Sequence, residues 1–531
     1  MKNKRKKPEE WLISTPDKGW SRRDFLRLLA GGIFSPFAIS QDWTRLQPSK
    51  ILNDLYWIKD IPNEPFYNPL NPNLHLGLDS LLYLMAESGL KFYRSQKEHF
   101  LAGPQGLIAS DDVVLIKVNA QWKYRGCTNS DLVRGLIQRI LDHPDGFTGE
   151  VVIFENGQGR GSLACDTSAA YGDSSIQANA NNKEHSFLYL VHNIFNDPRV
   201  SSFLLDSFSG IFIGPNDHTT NGYRRYEDVS YPCFTTARGH RIELREGLWR
   251  GNGYSRNLKL INVPVLKHHD VGGSEITASL KHFYGILSMS DGYSGYRHYS
   301  GLGETCGKMV ASIITPVLNI IDAIWVSHGS LTGYPPDTTF RANQLLASQD
   351  PVALDYWAAK YILYPIDYNY RHHPDFPGIN KWLVAARDMI NSRGGLSKID
   401  QGIIIDRVTN NENEMRVFSS KANDFLHQVK ICLSKTELSF VFSATSRLNE
   451  KVKEVSLSFT ENLPLFWWAE TNHDWLEVKP MSGHGNTRLI IQVNMAGLDP
   501  GLYSGQILFH CPQAANSPVS LHVRLIKMGT G

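Results

Sequence analysis

Cysteine is scarce in this chain. The 531 residues include only six cysteines, and no two of them form a CxxC pair. A ferredoxin-type cluster needs closely spaced thiolates, so we expect no iron–sulfur cluster. The cysteine pattern does not identify any other cofactor. It also does not decide whether disulfide bonds form among the six cysteines.

Long apolar runs and a large net charge are also missing. No segment offers the ~20 consecutive apolar residues that a bilayer-spanning helix needs, so we expect no stable membrane span. Lysine and arginine total 54 against 52 acidic residues, which gives a net charge of +2. Because nucleic-acid binding requires a basic surplus, nucleic acid is not an expected partner.

The positive charge that is present is concentrated at the N-terminus. Residues 1–40 contain nine basic and four acidic residues, which leaves about −3 for the rest of the chain. The segment SRRDFLR at 21–27 resembles a twin-arginine signal, and small residues at 38–40 offer a cleavage site. We therefore predict a signal peptide over 1–40, the twin-arginine export machinery as a partner, and a periplasmic or otherwise exported protein. Such cargo folds in a reducing cytosol, so its fold cannot depend on disulfides.

Strand and helix patterns alternate through the middle of the chain. Apolar runs of strand length are separated by amphipathic segments, which is typical of a largely parallel sheet covered by helices. We predict an α/β domain over 112–405, a mostly parallel open sheet with helices on both faces. The predicted strands are Val113–Ile116, Glu150–Phe154, Ile211–Ile213, Leu258–Leu266, Leu318–Val326 and Gln344–Ala347, and the predicted helices include Leu132–Leu141 and Pro351–Ile362.

The two flanks have different patterns. Residues 41–111 contain proline–asparagine turns and an amphipathic helix, and we predict a segment that wraps the α/β domain. Residues 406–430 are rich in Asn, Glu and Ser and are interpreted as a linker. Short alternating runs without helical period then fill 431–531, which predicts an all-β immunoglobulin-like sandwich.

One stretch combines a buried strand with a cluster of polar side chains. The apolar run Leu258–Leu266 ends in the sequence Lys-His-His-Asp at 267–270, and a helix that carries Lys281 follows two glycines. Strand, polar turn and helix N-terminus form the usual ligand-binding corner of an open α/β sheet. We predict Lys267, His269 and Lys281 as catalytic residues that hold a small carboxylate or phosphate. A divalent metal bound by His269 remains an alternative, as does a structural histidine.

Two earlier strands end in further polar residues. Lys117 and Asn119 follow the first predicted strand and face the same side. The second is followed by the glycine-rich turn Glu155–Gly161, whose backbone N–H groups can cradle an anion, although a flexible loop fits equally well. Because ligands gather at strand carboxyl ends, we predict Lys117, Asn119, Glu155 and Asn156 as ligand-binding residues.

Three aspartates lie in apolar or capping positions. Asp322 interrupts an apolar strand, and a buried carboxylate there requires a partner, which one of the lysines could provide, so an internal ion pair is the alternative to a role in chemistry. Asp355 lies inside a helix. We predict both as catalytic residues that orient the lysines or exchange protons. Asp350 precedes Pro351 and is first a helix N-cap, and we also count it among the ligand-binding candidates.

In this order, these pieces resemble the family known as domain of unknown function 362. The matching stretches are Lys117–Asn119, Pro264–His269, Thr277–Gly285, Ile321-Asp322 and Ala347–Asp355. The family name implies no activity. Some members carry an added segment with clustered cysteines, which is absent here. The family usually has proline at the position of Val118 and commonly asparagine at that of His282.

The C-terminal part resembles the BACON class of immunoglobulin-like modules. The resemblance is carried by Trp475–Gly483, Gly497-Leu498 and Gly501–Gly505. It implies carbohydrate or mucin binding, or a role as a spacer. Trp467, Trp468 and Trp475 could stack on sugars, although an inward-facing position in the sandwich core is commoner for tryptophan.

Two functional hypotheses follow. The first is an exported enzyme or cofactor-binding protein that acts on a small anionic ligand through a Lys/His/Asp pocket. The alternative is a non-catalytic periplasmic binding or adhesion protein whose C-terminal module binds glycan. Whether the protein is an enzyme stays open. Both hypotheses require Lys117, Lys267, His269 and Lys281 to lie in one crevice.

Overall fold

The computed structural model describes most of the chain after its N-terminal segment. The described residues are 52–68, 71–97, 99–166, 175–292, 295–425, 429–443, 451–460, 465–511 and 514–529. The predicted signal peptide over 1–40 lies outside them.

A ten-stranded mixed sheet dominates the described part of the chain. Its strands are β1 (Asn53–Lys59), β2 (Val113–Val118), β3 (Glu150–Glu155), β4 (Val200–Leu204), β5 (Leu258–Val263), β6 (Val265–His268), β7 (Ile276–Thr277), β8 (Leu318–Ser327), β9 (Thr339–Ser348) and β10 (Met415–Lys421). The strand order is β10-β1-β9-β8-β5-β2-β3-β4, and β6 pairs with β7 and β8. Strands β8, β5, β2, β3 and β4 are parallel, whereas β9 is antiparallel to both of its neighbours.

Helices cover this sheet. The longer ones, and the short α3 that concerns the site, are α1 (Leu76–Glu87), α2 (Ser130–Leu141), α3 (Ser279–His282), α4 (Leu302–Ser312), α5 (Pro351–Ala358) and α6 (Pro377–Ser392). Shorter helical segments are Phe187–Tyr189, Met289–Gly292, Gly295–His298 and Tyr364–Asp367. Every residue of β2 and of β5 is buried, as expected for central strands packed on both faces. Among the described residues, no helix is both long and apolar enough to cross a membrane.

The sheet extends past both predicted boundaries of the α/β domain. β1 comes from the segment predicted to wrap the domain, and β10 comes from the predicted linker. The two strands pair in parallel over their full seven-residue length, and β1 also pairs with β9. The segment predicted to wrap the domain and the segment predicted as a linker therefore each contribute one strand to the sheet. Local composition cannot show that two strands about 360 residues apart will pair.

Two strand predictions differ from the structure in detail. The predicted strand at Ile211–Ile213 contains only an isolated bridge at Phe212, and β4 forms the sheet edge instead. The predicted strand Leu258–Leu266 is divided at Pro264 into β5 and β6. Proline has no N–H to donate to a ladder, so the chain changes its pairing there. A separate antiparallel sheet that was not predicted lies between β4 and β5, with strands Gly222–Tyr226, Val229–Thr235, Arg241–Glu243, Gly247–Trp249 and Tyr254–Ser255.

The C-terminal module is an all-β sandwich. One sheet contains Ile431–Leu433, Val452–Phe459, Thr487–Val493 and Leu476–Lys479, and the other contains Glu437–Phe442, Val519–Lys527, Gly501–His510, Phe466–Thr471 and Ser482–His484. Buried and exposed residues alternate along these strands, as in Glu437–Phe442. The predicted fold class, an α/β sheet followed by an immunoglobulin-like sandwich, is confirmed.

Candidate functional site

The sheet brings the predicted lysines together near the carboxyl ends of its parallel strands. Lys117 lies near the end of β2, Lys267 lies in β6, and Lys281 lies in α3, which follows β7. Each is at most 5% exposed. The charges of Lys117 and Lys281 both act on Lys267, and those of Lys267 and Lys281 both act on His269. The four residues therefore share one region of the protein.

Lys117 belongs to a buried polar network. Its Nζ forms an ion pair with Glu155, donates to the Val118 carbonyl at 3.0 Å and lies 3.1 Å from His282 Nε2. His282 Nδ1 lies 2.7 Å from Asn262 Oδ1. When the Asn262 oxygen accepts the Nδ1 proton, Nε2 is left to accept from Lys117. The network satisfies the hydrogen-bonding capacity of Lys117 without a ligand.

Burial acts on both partners of this ion pair. It lowers the pKa of the Lys117 amine and raises the pKa of the Glu155 carboxyl, while their mutual attraction opposes both shifts. Gly285 permits the close packing around the pair. A Cβ at that position would lie 2.9 Å from Glu155 Oε1 and 3.1 Å from Lys117 Nζ. The pair therefore forms part of the tightly packed interior.

Lys267 also has a hydrogen-bond acceptor within the protein. Its Nζ donates to the carbonyl of Gly126 at 2.5 Å. Burial lowers the pKa of Lys267 to about 7, and the nearby charges of Lys281 and Lys117 add to that effect, whereas Cys127 and Glu155 oppose it. Lys267 does not line the cavity described below, so it influences that cavity through its charge.

Lys281 differs from the other two lysines. Its Nζ lies 4.0 Å from the centre of the Tyr284 ring, in cation–π geometry. No hydrogen bond or ion pair joins this amine to another residue in the described ranges. Burial lowers the pKa of Lys281 to about 8, opposed by Cys306 and Asp270. The side chain is 5% exposed, yet it lines a cavity.

That cavity has a volume of about 270 Å³. Its polar lining includes residues from the segments after β2 and β3, from the end of β6, from α3 and from the segment before α4. These are Gln121, Gln158, Arg160, His269, Asp270, Lys281, His298 and Tyr299. Arg160 is exposed, and no ion pair to a described carboxylate restrains its guanidinium. With both histidines neutral, the ionisable lining groups carry one more positive than negative charge.

Two histidines and an aspartate cluster on one wall of the cavity. Single donor atoms of His269, Asp270 and His298 lie within 4.8 Å of one another, a spacing that a metal ion could bridge. However, His269 Nδ1 accepts the backbone N–H of Asp270 at 2.8 Å. A neutral imidazole that accepts at Nδ1 carries its proton on Nε2, so it has no lone pair left for a metal.

The electrostatic environment of these histidines is positive. Burial lowers the pKa of His269 well below its usual value, and Lys281 and Lys267 add to that effect. Burial lowers the pKa of His298 to about 4, again with Lys281 and Arg160 contributing. The same charges that disfavour an imidazolium disfavour a divalent cation and attract an anion. The metal at His269 stays a prediction.

The three predicted aspartates bind backbone N–H groups. Asp322 accepts from Asn129 and Ile324 at 2.7 and 3.0 Å, and Asp355 accepts from the N–H groups of Ser279 and Leu280 at 2.7 and 2.9 Å. The ion pair with a lysine that was the alternative for Asp322 is therefore not formed among the described residues. Burial raises the pKa of each to about 7, opposed by these donors.

Asp350 is the N-cap of α5, as its position before proline indicated. It accepts from the N–H groups of Val352 and Ala353 at 2.8 and 3.0 Å, and from that of Thr409 at 2.9 Å. Burial raises its pKa to about 6. Asp350, Asp322 and Asp355 thus join segments of the fold, and none of them lines the cavity.

The predicted asparagines shape the loops around the site. Asn119 Oδ1 accepts the N–H of Val265, the first residue of β6, at 2.9 Å. Asn156 Nδ2 donates to the Leu287 carbonyl at 2.9 Å, and its Oδ1 accepts from Gln158 at 3.0 Å. Leu287 and Gln158 line the cavity, so Asn156 positions two lining segments without contacting the space itself.

Only His269 and Lys281 among the predicted site residues line the cavity. Arg160 and His298, which do line it, had no assigned role from the sequence. A useful signal for Arg160 was its place in a glycine-rich turn directly after a strand, where a guanidinium can reach a ligand. His298 lies in a short helix far along the chain, and no local pattern distinguished it from the other histidines.

The three tryptophans of the sandwich module that were named as candidates differ in their burial. Trp467 is fully buried and contacts Phe509 edge-on, and Trp475 is only 8% exposed, so both occupy the sandwich core, the commoner position for such tryptophans, and neither is placed to stack on sugar. Trp468 points to the outer face of the same strand. Its ring lies 5.1 Å from that of His510 at 9° and 5.9 Å from that of Phe466 at 27°. These three partly exposed rings form an aromatic face.

Two segments of the chain match known families. Residues 256–360 match the family described as Domain of unknown function (DUF362), and residues 431–521 match the Viral BACON domain. Both predicted resemblances are thereby confirmed. The first match contains Lys267, His269, Lys281, Asp322, Asp350 and Asp355, whereas Lys117 and Arg160 lie outside it.

Comparison with solved structures gives matches to about a fifth of the chain. The GH5 xyloglucanase of Bacteroides ovatus in complex with a XXXG heptasaccharide is 10% identical over 20% of this chain and 20% of its own length, with a TM-score of 0.16. The PapD-like domain of human CEP192 is 10% identical over 19% of this chain and 87% of that domain, with a TM-score of 0.15. The E. coli chaperone DraB is 14% identical over 19% of this chain and 55% of its own, also with a TM-score of 0.15. TM-scores this low support no functional argument, and no curated protein matches significantly.

Proposed function

We propose that this exported protein binds a small carboxylate or phosphate in the cavity at the carboxyl edge of its α/β sheet. The observation that carries the proposal is the pair of cationic groups on the cavity lining, Lys281 and Arg160, which have no ion-pair partner in the described ranges. A buried amine that changes protonation near neutral pH also equips the cavity for proton transfer to or from that ligand.

An anion satisfies what these side chains lack. The Lys281 ammonium loses hydration in the protein interior, and a bound anion restores both a hydrogen bond and an opposite charge. The planar guanidinium of Arg160 matches the geometry of a carboxylate or phosphate and can bind it in a bidentate manner. Asp270 is the acidic residue of the lining, and it does not neutralise both cations.

Calorimetric titration with inorganic phosphate and with oxalate tests the proposal. Lys281→Met and Arg160→Met should each weaken binding about ten- to a hundredfold, since a hydrogen bond to a charged group contributes about 1.5–3 kcal/mol. Lys183→Met is the matched control, because Lys183 is an exposed lysine 5.6 Å from the Tyr124 ring centre and lies outside the cavity lining. Its affinity should equal that of the unmodified protein.

The pH dependence of binding has a defined sign. Lys281 attracts an anion only in its protonated form, so affinity for oxalate should fall as the pH rises through about 8. Absence of binding in the unmodified protein, or equal binding by the Lys281→Met and Lys183→Met variants, would overturn the proposal. Elemental analysis of protein recovered from its export pathway tests the metal alternative. A stoichiometric divalent metal in that protein would support the metal site at His269.

A second function is supported by the aromatic face of the sandwich. The rings of Phe466, Trp468 and His510 lie side by side on the outer surface of one sheet, and Trp468 Nε1 donates to Glu470 at 3.3 Å. Flat aromatic surfaces beside a polar group are suited to stack on a sugar ring. We infer that this face attaches the protein to glycan while the cavity binds the small anion.

Export by the twin-arginine route is part of the proposal. It is supported by the arginine pair at 22–23, the apolar segment that follows and the match of 431–521 to a BACON domain. Export would place the cavity and the aromatic face in the periplasm or beyond it.

A further inference from the structure

We propose that Lys281 is a nucleophile that forms an imine with the carbonyl carbon of a ligand bound in the cavity, so that the substrate is a small 2-oxo acid or a phosphorylated aldehyde. That the substrate carries an anionic group follows from the proposed function and rests on it. Imine formation is argued separately, from the surroundings of Lys281. The proposal therefore adds a covalent step and a substrate class to the cavity.

The contacts of the three buried lysines separate their roles. Lys117 has an ion pair with Glu155 and Lys267 donates to a carbonyl at 2.5 Å, so both amines are held by acceptors. In the part of the chain that the structure describes, Lys281 has the ring of Tyr284 as its neighbour and no acceptor. An amine that no acceptor holds, on the lining of a cavity, is free to attack a bound molecule.

Burial also provides the reactive form of this amine. Only a neutral amine has the lone pair that attacks a carbonyl, and burial lowers the pKa of Lys281 to about 8. At pH 7 about a tenth of such an amine is neutral, roughly several hundred times the neutral fraction of an ordinary lysine.

The step balances with groups that line the cavity and one proton from solvent. The Lys281 nitrogen attacks the carbonyl carbon, a C–N bond forms, and the C=O π electrons move to oxygen. Neutral His298 relays the proton that the nitrogen loses to this oxygen, which gives a neutral carbinolamine. A proton taken up from solvent then protonates the hydroxyl, the C–O bond breaks, and one water leaves. The products are a protonated imine and water, and no oxidant or reductant is consumed.

The same residues stabilise the product. A protonated imine keeps a positive charge at the position where the Tyr284 ring face already lies 4.0 Å from the lysine nitrogen. Arg160, which also lines the cavity, can bind the carboxylate or phosphate of the substrate. A cavity of about 270 Å³ holds a small molecule of this kind.

Reductive trapping of the full chain tests the proposal. The protein is incubated with glyoxylate or with pyruvate, reduced with borohydride, digested and mapped by mass spectrometry. We expect one reduced adduct, on Lys281, formed about tenfold or more faster than any adduct on exposed Lys183, because of its larger neutral fraction. Lys281→Arg should remove this adduct, and Lys183→Arg should leave it unchanged. Oxalate, which has an anionic group but no reactive ketone or aldehyde, should slow the labelling.

Each outcome has a defined meaning. Trapping should increase as the pH rises through about 8, opposite to the affinity for oxalate, because the neutral amine reacts and the ammonium binds. If calorimetry shows oxalate binding but no adduct forms on Lys281, the imine is wrong and the anion site stands. If neither binding nor an adduct is observed, both proposals are wrong. Equal labelling of Lys281 and Lys183 also overturns the imine. Should Lys281→Arg fail to fold, the adduct map of the unmodified protein decides alone.

Discussion

Lys117 and Lys281 are the same residue type in equally buried positions, yet their contacts differ completely. Lys117 lies against Glu155 and His282 and needs no ligand, whereas Lys281 faces a cavity and lacks an acceptor among the residues described. The sequence predicts both as ligand-binding lysines, because a lysine at the end of a buried strand or on the apolar face of a helix is unusual. The two residues differ in the hydrogen-bond acceptors that lie near them in the folded protein.

The buried pair of Lys117 and Glu155 leads to a stability prediction. Lys117→Met should lower the free energy of unfolding by about 3–5 kcal/mol, since it leaves Glu155 as an uncompensated buried carboxyl. Adding Glu155→Gln to that variant should restore part of the loss. Urea denaturation of the two single variants and the double variant measures the coupling between the residues.

An exposed ion pair is the matched control for this experiment. Lys421 pairs with Asp60 at 2.9 Å, and both side chains are more than 60% exposed. Lys421→Met should leave the denaturation midpoint unchanged, because water replaces the lost partner. A Lys117→Met variant as stable as Lys421→Met would show that Lys117 and Glu155 are not a buried pair.

At the scale of elements, the corner between β6 and α3 is held by residues from elsewhere in the chain. Asp355 of α5 accepts the N–H groups of Ser279 and Leu280 and thereby caps α3, which is only four residues long. Asn119 accepts from Val265 at the start of β6. The sequence located this corner correctly, since an apolar run followed by polar residues and glycines is a local pattern. It could not assign the capping groups, because they lie about 75 and 146 residues away in the chain.

The tryptophan pair in strand Phe466–Thr471 allows a test of the aromatic face. Neighbouring residues of a strand point to opposite sides, so Trp467 is buried and Trp468 is partly exposed. Trp467→Ala should reduce the free energy of unfolding by about 3–5 kcal/mol through loss of core packing. Trp468→Ala should cost less than about 1 kcal/mol, yet it should abolish retention of the protein on immobilised mucin.

The two variants serve as controls for each other. Thermal unfolding identifies the variant with the damaged core, and retention on mucin identifies the variant with the damaged surface. If Trp468→Ala is retained as well as the unmodified protein, the aromatic face does not bind this glycan and a spacer role for the module is favoured.

At the scale of the whole molecule, the proposed location depends on the N-terminal segment. Replacing Arg22 and Arg23 with lysine should stop export and leave the precursor in the cytosol, because a twin-arginine signal is defined by its guanidinium pair and lysine does not reproduce it. Cell fractionation with an antibody against the protein measures the distribution. Replacing Lys6 and Lys7 with glutamine is the control, and this variant should still be exported. Equal export of both variants would rule out the twin-arginine route.

The chain by itself determined those features that short stretches encode. The alternation of strands and helices, the switch to β-sandwich pattern after about residue 430 and the polar corner at 267–281 all depend on near neighbours, so hydrophobic periodicity and motif order revealed them. Only the tertiary structure decided which of the buried lysines lacks an acceptor among the described residues. It also showed that β1 and β10 complete the sheet and that Arg160 and His298 line the cavity. These features depend on contacts between distant residues, and burial and charge at a site depend on the sum of such contacts.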